Sequence, residues 1–331
     1  MTENLKVFAP VIIPTLCRYD HFKKCIKSLS RCTLANKTEV YIGLDYPAKD
    51  EHWDGYKKIK SYLDSVENMG FKKLTVIERE RNYGFGPTGN YRMLVNFILS
   101  KYDRFIATED DNVFSPNFLE FINKGLEKFK DDQKILAICG YCHPYKTKHG
   151  DNNYFMQNVD FSAWGYGIWK DRYDAFSNNV NHKYFYKKVC NPYNGYLLYR
   201  QGFNRLRDFF LYLTRKNFIP VNDDVLSIYM AMEKMNVVMP TTTKVRNEGW
   251  DGTGRNCNTK DTKLIQLHSN RIIDKNIHFE FIGNGKAYYN ANRKIFREQS
   301  YAKISFKNFI TTIFRICFNK ALVLLHIQNR Q

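Results

Sequence analysis

The first 140 residues alternate short runs rich in apolar and β-branched residues with longer stretches of helical periodicity, and this alternation constrains the fold most strongly. In the longer stretches apolar residues recur at i, i+3, i+4 and i+7, which is typical of amphipathic helices. Parallel neighbouring strands need crossover connections of helical length. The pattern therefore predicts an α/β fold with an open, mostly parallel sheet flanked by helices. The predicted strands are residues 11–13, 40–44, 74–77, 105–108 and 135–139.

The loops after these strands are the expected place for chemistry, because open parallel sheets bind ligands at the carboxyl ends of their strands. The region from about 144 to 283 is less regular. One amphipathic helix is predicted directly after Asn222, since Val225, Ile228 and Tyr229 would share a face.

Composition limits the class of protein. The chain has 331 residues, 44% of them hydrophobic, and 51 Lys and Arg against 33 Asp and Glu give a formal charge of +18. Such a chain is globular and not intrinsically disordered. The 18 Gly and 9 Pro show no period, which excludes a collagen-like sequence. We expect a catalytic unit over residues 1–283, with halves 1–140 and 141–283, and a tail over residues 284–331.

The N-terminal residues lack the basic stretch, apolar run and cleavage site of a secretory signal, so we expect a cytoplasmic protein. Eight Cys in a chain of this length are too dilute for a disulfide framework. Cys139 and Cys142, followed by His143, have metal-like spacing. Because no second Cys pair completes a four-ligand zinc site, we interpret this segment as a strand end.

The tail carries a concentrated positive charge. Residues 286–331 hold nine Lys and Arg against one acid, Glu298. Apolar residues recur there at helical spacing, but cations interrupt them before the 18 or more residues that a membrane span needs. Anionic lipid attracts each nearby cation by about 1 kcal/mol, so we expect a basic amphipathic helix lying on the inner face of the cell membrane. The alternative is a helix packed on the body of the protein or on a partner subunit.

Three consecutive acids, Glu109, Asp110 and Asp111, follow the predicted strand 105–108 directly. Adjacent carboxylates repel one another unless a cation is present. Hard oxygen ligands suit Mg²⁺ or Mn²⁺, which often take only one or two protein carboxylates, with phosphate and water completing the shell. The alternative is an acidic loop stabilised by the N-terminus of the following helix.

Four landmarks stand in order along residues 11–139: Val11–Thr15 with Arg18, then Asp45, then residues 81–84 with 89–90, then residues 109–111. Together they resemble the nucleotide-sugar-dependent glycosyltransferases of the GT-A fold. The Glu-Asp-Asp run with its Phe-Ser-Pro-Asn-Phe continuation is similar to the eukaryotic N-acetylglucosaminyltransferase that starts hybrid N-glycans. The Pro-Thr after the first predicted strand and the later Asn/Gly pattern are more similar to the large bacterial inverting family 2.

The resemblance implies roles for the polar residues at the first, second and fourth strand ends. Thr15, Arg18 and Asp45 would border the nucleoside, with Asp45 accepting a hydrogen bond from the base. Asp110 would face the ribose or the metal, and Asp111 would be the direct ligand of Mn²⁺ or Mg²⁺.

The same resemblance implies that Asn82 and Asn90 line the nucleotide pocket and that Gly84 lets backbone approach the nucleotide. Ordinary turn and cap chemistry is the alternative for all three, because Asn and Gly dominate turns.

An acidic pair, Asp223 and Asp224, stands at the start of the helix predicted after Asn222. In the resembling family an acidic pair at a helix start, usually Glu-Asp, places a carboxylate beneath the acceptor hydroxyl. Asp224 would then be the catalytic base that takes the hydroxyl proton, with Asp223 beside it. A plain helix-capping role is the alternative for either acid.

Two aromatic stretches resemble acceptor-binding segments of these transferases. Trp164 and Gly165 would form the acceptor floor, although a packed core is the alternative. Trp250 lies in a turn-rich stretch that resembles a loop near the active site of bacterial members. The resemblance leads us to expect His where Asn256 stands, so His268 is the candidate third protein ligand to the metal, with a structural histidine as the alternative.

The sequence thus predicts a metal-dependent, inverting glycosyltransferase that moves a sugar from a nucleotide diphosphate donor, UDP-linked, to a lipid-linked glycan in bacterial surface polysaccharide synthesis, such as capsule or lipopolysaccharide. One alternative is a nucleotidyltransferase of similar fold, but residues 14–18 lack the glycines of its phosphate loop. Another is a basic nucleic-acid-binding protein. Because the cations concentrate beside an apolar helix instead of interleaving with exposed rings, we expect no nucleic-acid partner.

Overall fold

The structure, a computed structural model, describes residues 8–86, 88–143, 150–158, 160–180, 182–189, 191, 193–194, 222–253 and 262–285, together with positions 307, 310, 311 and 314. Nearly all of the predicted basic tail therefore lies outside the described residues. Among the described helices, none combines the length and the apolar character that a membrane crossing requires.

Ten strands are defined within this part of the chain, and eight of them form one sheet. They are β1 (Val11–Thr15), β2 (Glu39–Leu44), β3 (Lys73–Glu78), β4 (Arg104–Ala107), β5 (Asn112–Phe114), β6 (Ile135–Cys139), β7 (Tyr154–Gln157), β8 (Tyr166–Trp169), β9 (Asn236–Pro240) and β10 (Val245–Asn247).

The eight-stranded sheet has the order β3-β2-β1-β4-β8-β6-β9-β7. Strands β3, β2, β1 and β4 are mutually parallel, so their carboxyl ends share one edge. Strand β8 is antiparallel to both β4 and β6, while β9 runs parallel to β6 and β7 closes the edge antiparallel to β9. The predicted α/β fold with a mostly parallel sheet is confirmed, and the sheet takes strands from both predicted halves of the chain.

Helices cover both faces of the sheet. The described helices are α1 (Tyr19–Ser30), α2 (Trp53–Asp64), α3 (Asn90–Leu99), α4 (Phe118–Lys128), α5 (Lys170–Asn179), α6 (His182–Val189), α7 (Asn222–Met232) and α8 (Thr262–Ser269). Successive side chains of a strand point to opposite faces. Accordingly Val11 and Ile13 pack into a cluster with α1, α2 and α4, whereas Ile12 packs into the other cluster with α3, α5 and α7.

A second, two-stranded sheet lies beyond the carboxyl end of β4. Strand β5 pairs antiparallel with β10, and their register places Asn112 opposite Asn247. This pairing brings a segment from late in the chain against the acidic run that joins β4 to β5.

Candidate active site

The acidic run lies in the turn between β4 and β5. Strand β4 ends at Ala107, and Glu109, Asp110 and Asp111 follow before β5 begins at Asn112. Because β1 and β4 are parallel neighbours, the acids lie beside the end of β1. The turn is held from within, since Asn112 Nδ2 donates to Thr108 Oγ1 at 2.9 Å.

Two residues that follow or end β1 bind these acids directly. Thr15 Oγ1 donates to Asp110 Oδ2 at 2.7 Å, and Arg18 Nη1 donates to Asp111 Oδ2 at 2.6 Å. Arg18 Nη1 also lies 4.0 Å from Asp110 Oδ1. The structure therefore brings together four of the residues predicted for the nucleotide and metal site.

The segment after β10 approaches Asp111 from the other side. Asn247 Nδ2 donates to Asp111 Oδ1 at 2.7 Å, and the backbone N–H of Glu248 donates to the Asp111 carbonyl at 2.8 Å. Gly249 is so close that a Cβ built on it would lie 2.0 Å from Asp111 Oδ2. Asp111 is thus oriented by contacts on both carboxylate oxygens.

Ion pairs join this segment to α1. Glu248 pairs with Lys24 at 3.0 Å and with Arg246 at 2.6 Å, and His21 Nε2 lies 3.1 Å from Asp251 Oδ2. These groups are partly exposed, so each pair contributes little stability alone. Together they fix the position of the Asn247–Asp251 backbone above the acids.

Crowding of negative charge perturbs the acids. Desolvation and the charge of Asp111 raise the pKa of Asp110 to about 7. The Glu109 side chain is exposed, yet protein surrounds it closely enough that desolvation and the charges of Asp111 and Asp223 raise its pKa well above the ordinary value. Burial lowers the pKa of Arg18, but the charges of Asp111 and Asp110 outweigh it and raise the pKa overall. The site therefore has an excess of negative charge that Arg18 offsets only in part.

The acidic side chains suit a divalent ion that takes only one or two of its ligands from the protein. In the described part of the chain no group of three His, Cys, Asp or Glu side chains is arranged to hold a metal. Crowded carboxylates are stabilised by a cation, and Mg²⁺ or Mn²⁺ is commonly held by one or two carboxylates with phosphate and water. Asp110 and Asp111 fit that pattern, in which the protein supplies few of the ligands.

Asp45 organises the loop after β3. Its Oδ1 accepts from the backbone N–H groups of Tyr46 at 3.0 Å and Tyr83 at 2.9 Å. Its Oδ2 accepts from the N–H of Gly84 at 2.8 Å and from Asn82 Nδ2 at 3.5 Å. These hydrogen bonds make Asp45 a clamp on the 82–84 loop. Its expected contact with the base stays a prediction.

The backbone conformation and the hydrogen bonds of this loop account for its glycine and asparagine residues. Gly84 adopts a φ of 55°, in the left-handed region that favours glycine. Asn82 Nδ2 also donates to the Tyr46 carbonyl at 2.6 Å. Gly84 and Asn82 are partly exposed at the same edge of the sheet, so they stay candidates for nucleotide contact.

Asn90 does not line an open surface. It is 3% exposed, donates through Nδ2 to the Gly43 carbonyl at 2.7 Å and accepts at Oδ1 from Arg79 Nε at 2.9 Å. Its amide therefore connects the start of α3 to β2 through Gly43 and to the residue after β3 through Arg79. The expected role in lining the nucleotide pocket is corrected to an internal structural one, because the side chain has no open face.

Asp223 and Asp224 lie in the first turn of α7, as the sequence predicts. Asp223 is partly exposed, and its charge contributes to the raised pKa values of Glu109 and Tyr166. Helix α7 thus places Asp223 close enough to the acidic run for its charge to act on Glu109. The side chain of Asp224 lies outside the described residues.

The predicted acceptor residues Trp164 and Trp250 meet in one aromatic cluster. The Trp250 ring stacks on His268 with centroids 4.4 Å apart and planes at 6°, and Trp164 meets Trp250 edge to face at 6.2 Å. Trp164 also packs edge to face on Tyr141 at 4.6 Å. The Trp250 Nε1–H is buried and has no acceptor among the described residues.

His268 is built into this cluster. It is 1% exposed, and its Nδ1 lies 2.7 Å from the Tyr141 hydroxyl. Burial lowers its pKa to about 3, so the ring is neutral at physiological pH. These contacts describe a packed histidine, and its role as a metal ligand stays a prediction.

Gly165 has a backbone reason for being glycine. Its φ is 74°, and a Cβ there would lie 3.0 Å from both Phe118 and Val245 side-chain atoms. Its carbonyl accepts from the Gly140 N–H at 2.7 Å. Because Gly165 is buried, the expected contact with an acceptor is corrected to a packing role.

The sequence alone does not single out Asn247 or Gly249 as functional residues. Their partner, Asp111, lies more than 130 positions earlier, and local patterns carry no signal for such a contact. An Asn and a Gly directly after a short β-rich run were the available hint. Asn256, in the same stretch, lies outside the described residues.

No family model matches the sequence, and no curated protein is significantly similar to it. Similar solved structures include Staphylococcus aureus TarS residues 1–349, with 16% identity over 53% of this chain and a TM-score of 0.34. A Pyrobaculum calidifontis mannosyltransferase in complex with GDP-Man and Mn²⁺ has 10% identity over 70% of this chain and 73% of its own, with a TM-score of 0.33. The bifunctional glycosyltransferase WbbM has 12% identity over 43% of this chain and 24% of its own, with a TM-score of 0.27.

The chain spans about half the length of the TarS fragment that it matches. At these identities and TM-scores the similarities do not define a family.

Proposed function

We propose that this protein is a metal-dependent glycosyltransferase that moves a sugar from a nucleotide diphosphate, UDP-linked, to a glycan hydroxyl. The observation that carries the proposal is the convergence of Thr15 and Arg18 with Asp110 and Asp111 at the shared carboxyl edge of β1 and β4. A guanidinium beside clustered carboxylates at the ligand-binding edge of an open sheet matches the needs of a diphosphate bound with a divalent cation.

In this proposal Asp110 and Asp111 would hold Mn²⁺ or Mg²⁺, which would offset charge on the departing diphosphate when bound. Thr15 and Asn247 keep the two carboxylates oriented through the hydrogen bonds described above. The 82–84 loop, clamped by Asp45, presents backbone near the same edge, where a nucleoside would lie. Each of these contributions belongs to residues already placed before the substrate arrives, which limits the reorganisation that binding requires.

Proton removal from the acceptor is assigned to the acidic pair of α7. The charge of Asp223 already reaches Glu109, so an acceptor held near this turn would lie beside the sugar donor. Asp224 is our proposed base, and direct attack by the acceptor oxygen would invert the sugar carbon. Trp164 and Trp250 would pack on the acceptor, and the buried Trp250 Nε1–H would donate to one of its hydroxyl groups.

We further propose that the acceptor is lipid-linked, that the basic tail binds an anionic membrane surface, and that the product is a bacterial surface polysaccharide. The charge of residues 286–331 supports this placement. It would put the active site at the inner face of the cell membrane.

The test is a screen of nucleotide-sugars for thermal stabilisation with and without Mn²⁺. A ligand at 100 times its dissociation constant adds about 2.7 kcal/mol to the free energy of unfolding. A positive sugar donor is then incubated with candidate acceptors, and the released nucleotide is identified. Release of the nucleoside diphosphate supports glycosyl transfer, whereas release of sugar 1-phosphate, with transfer of the nucleoside monophosphate to the acceptor, would indicate a nucleotidyltransferase. Failure of every nucleotide-sugar to change melting with either metal would refute the proposal.

A further inference from the structure

Arg18 occupies the position of a counter-cation in the acidic site. Its Nη1 lies 2.6 Å from Asp111 Oδ2 and 4.0 Å from Asp110 Oδ1. Within the described ranges, no Lys or other Arg forms an ion pair with either acid. Asn247 donates to the other oxygen of Asp111, Oδ1, so Arg18 and Asn247 each contact a different oxygen of this carboxylate.

The guanidinium is not saturated by this contact. Arg18 Nε and Nη2 are buried, and neither makes a hydrogen bond with any described residue. Asp251 Oδ1 lies 3.7 Å from Nη2, which is beyond hydrogen-bond distance. Nε and Nη2 together carry three N–H donors, and a multidentate oxyanion is the partner that their planar geometry suits.

A divalent cation on Asp111 would compete with Arg18. Both positive groups need the same carboxylate oxygen, and like charges at ion-pair distance repel strongly. A bound diphosphate removes this competition, because its negative charge attracts both positive groups. Its oxygens can accept two parallel hydrogen bonds from the released guanidinium.

We propose that Arg18 is a two-position residue: it neutralises Asp111 in the ligand-free enzyme, and it moves to the diphosphate of the sugar donor when a divalent cation takes its place. The inference rests on the proposed function and adds to it an order of events. Arg18 keeps affinity for the metal alone low and couples metal binding to nucleotide binding. The free carboxylates are thereby kept from binding metal without substrate.

The experiment measures Mn²⁺ binding without nucleotide, by the loss of the electron paramagnetic resonance signal of free Mn²⁺, and UDP binding with saturating Mn²⁺, by calorimetry. Arg18→Gln should bind Mn²⁺ alone about tenfold more tightly than the unmodified protein, because the competing charge is gone. The same variant should bind UDP with Mn²⁺ about tenfold more weakly, because it lacks the guanidinium that would donate paired hydrogen bonds to the diphosphate.

Lys27→Gln is the matched control, since it removes an exposed positive charge from α1 at a residue outside the site. It should leave both affinities within about twofold. Arg18→Lys retains a charge but not the paired hydrogen bonds, so Mn²⁺ binding should stay weak while UDP binding falls. If Arg18→Gln does not fold, Arg18→Met, which also removes the charge, takes its place in the Mn²⁺ measurement.

Unchanged or weaker Mn²⁺ binding by folded Arg18→Gln would overturn the inference while leaving the proposed function intact, provided that the unmodified protein binds UDP with Mn²⁺. Absence of UDP and Mn²⁺ binding in the unmodified protein would instead refute the proposed function. Unchanged UDP binding by Arg18→Lys would overturn the role assigned to the paired hydrogen bonds.

Discussion

Gly249 and Asp111 are in such close contact that a single methyl group on the glycine would lie 2.0 Å from the Asp111 Oδ2 atom and 3.2 Å from Arg18 Nη2. The site has no room for a side chain at this position. Glycine is therefore required here by the carboxylate, independently of any turn geometry.

Gly249→Ala should displace Asp111 and reduce Mn²⁺-dependent UDP binding by about tenfold or more, since one ångström of misplacement is costly in a preorganised site. Calorimetry measures the loss. Gly252→Ala in the same loop is the control, because a Cβ there meets nothing within 4 Å and introduces only the strain of a φ of 86°. Equal losses in both variants would show that loop strain, and not contact with Asp111, is responsible.

Substitutions in the two acidic clusters, residues 109–111 and 223–224, should differ in their effects on nucleotide binding and on sugar transfer. Asp111→Asn should abolish metal-dependent binding of the nucleotide, because it removes the proposed direct ligand. Asp224→Asn should leave that binding within about twofold and stop turnover, because it removes only the proposed base. Parallel measurements of UDP affinity and sugar transfer test this division. It is wrong if both variants lose nucleotide affinity to the same extent.

Helix α2 supports the site through Gly55. A Cβ on Gly55 would lie 1.8 Å from the backbone carbonyl oxygen of Cys17, the residue before Arg18. Ala normally stabilises a helix relative to Gly by about 1 kcal/mol. At this position overpacking should dominate, and Gly55→Ala should lower the free energy of unfolding by about 1–3 kcal/mol.

Denaturant unfolding measures this change, with Lys57→Ala on the exposed face of the same helix as the control. Lys57→Ala should stay within about 0.5 kcal/mol of the unmodified protein. A stabilised Gly55→Ala variant would mean that the loop carrying Cys17 moves freely away from α2.

Acid should destabilise the protein through His268. Burial lowers its pKa from 6.5 to about 3, so below pH 6.5 the unfolded chain binds a proton that the folded chain does not. Stability from this group is complete above pH 6.5 and is lost as the pH falls toward 3, by about 1.4 kcal/mol for each pH unit.

Between pH 7 and pH 5 the unmodified protein should therefore lose about 2 kcal/mol more than a His268→Gln variant, which cannot titrate. Urea unfolding at several pH values gives both slopes. Identical slopes would show that the His268 ring is protonated as readily in the folded protein as in the unfolded chain.

Removal of residues 301–331 should release the protein from vesicles that contain anionic lipid, because most of the basic amphipathic segment is lost. Co-sedimentation measures the bound fraction, with neutral vesicles as the control. Retention of the truncated protein on anionic vesicles would assign membrane binding to another surface.

The sequence predicts the parallel part of the sheet well because it is encoded locally. Each of the five predicted strands is present, with bounds that differ by at most two residues, since apolar periodicity and strand burial are properties of short segments. The antiparallel insertion of β8 between β4 and β6 was not predicted. It depends on which partner a short apolar run finds across the chain, and periodicity does not encode that choice.

The candidate site divides in the same way. Thr15 ends β1, and Arg18, Asp110 and Asp111 lie in the short turns after β1 and β4, so sheet topology brings all four together. Asn90 and Gly165 were expected to meet ligand, but each has protein partners that satisfy its hydrogen bonds or fill its space. A motif specifies residue type and position, whereas the saturation of an amide depends on the three-dimensional surroundings.

The pairing of β5 with β10 has a consequence for dividing the enzyme into parts. Asp111 is oriented by Asn247, which contacts it because β5 and β10 pair although they lie far apart in the sequence. A chimaera that took residues 1–140 from this protein and the remainder from another would keep every acid of the run and yet lose the amide that aims one of them. A chimaera should therefore take strand β10 and the acidic turn from the same parent protein.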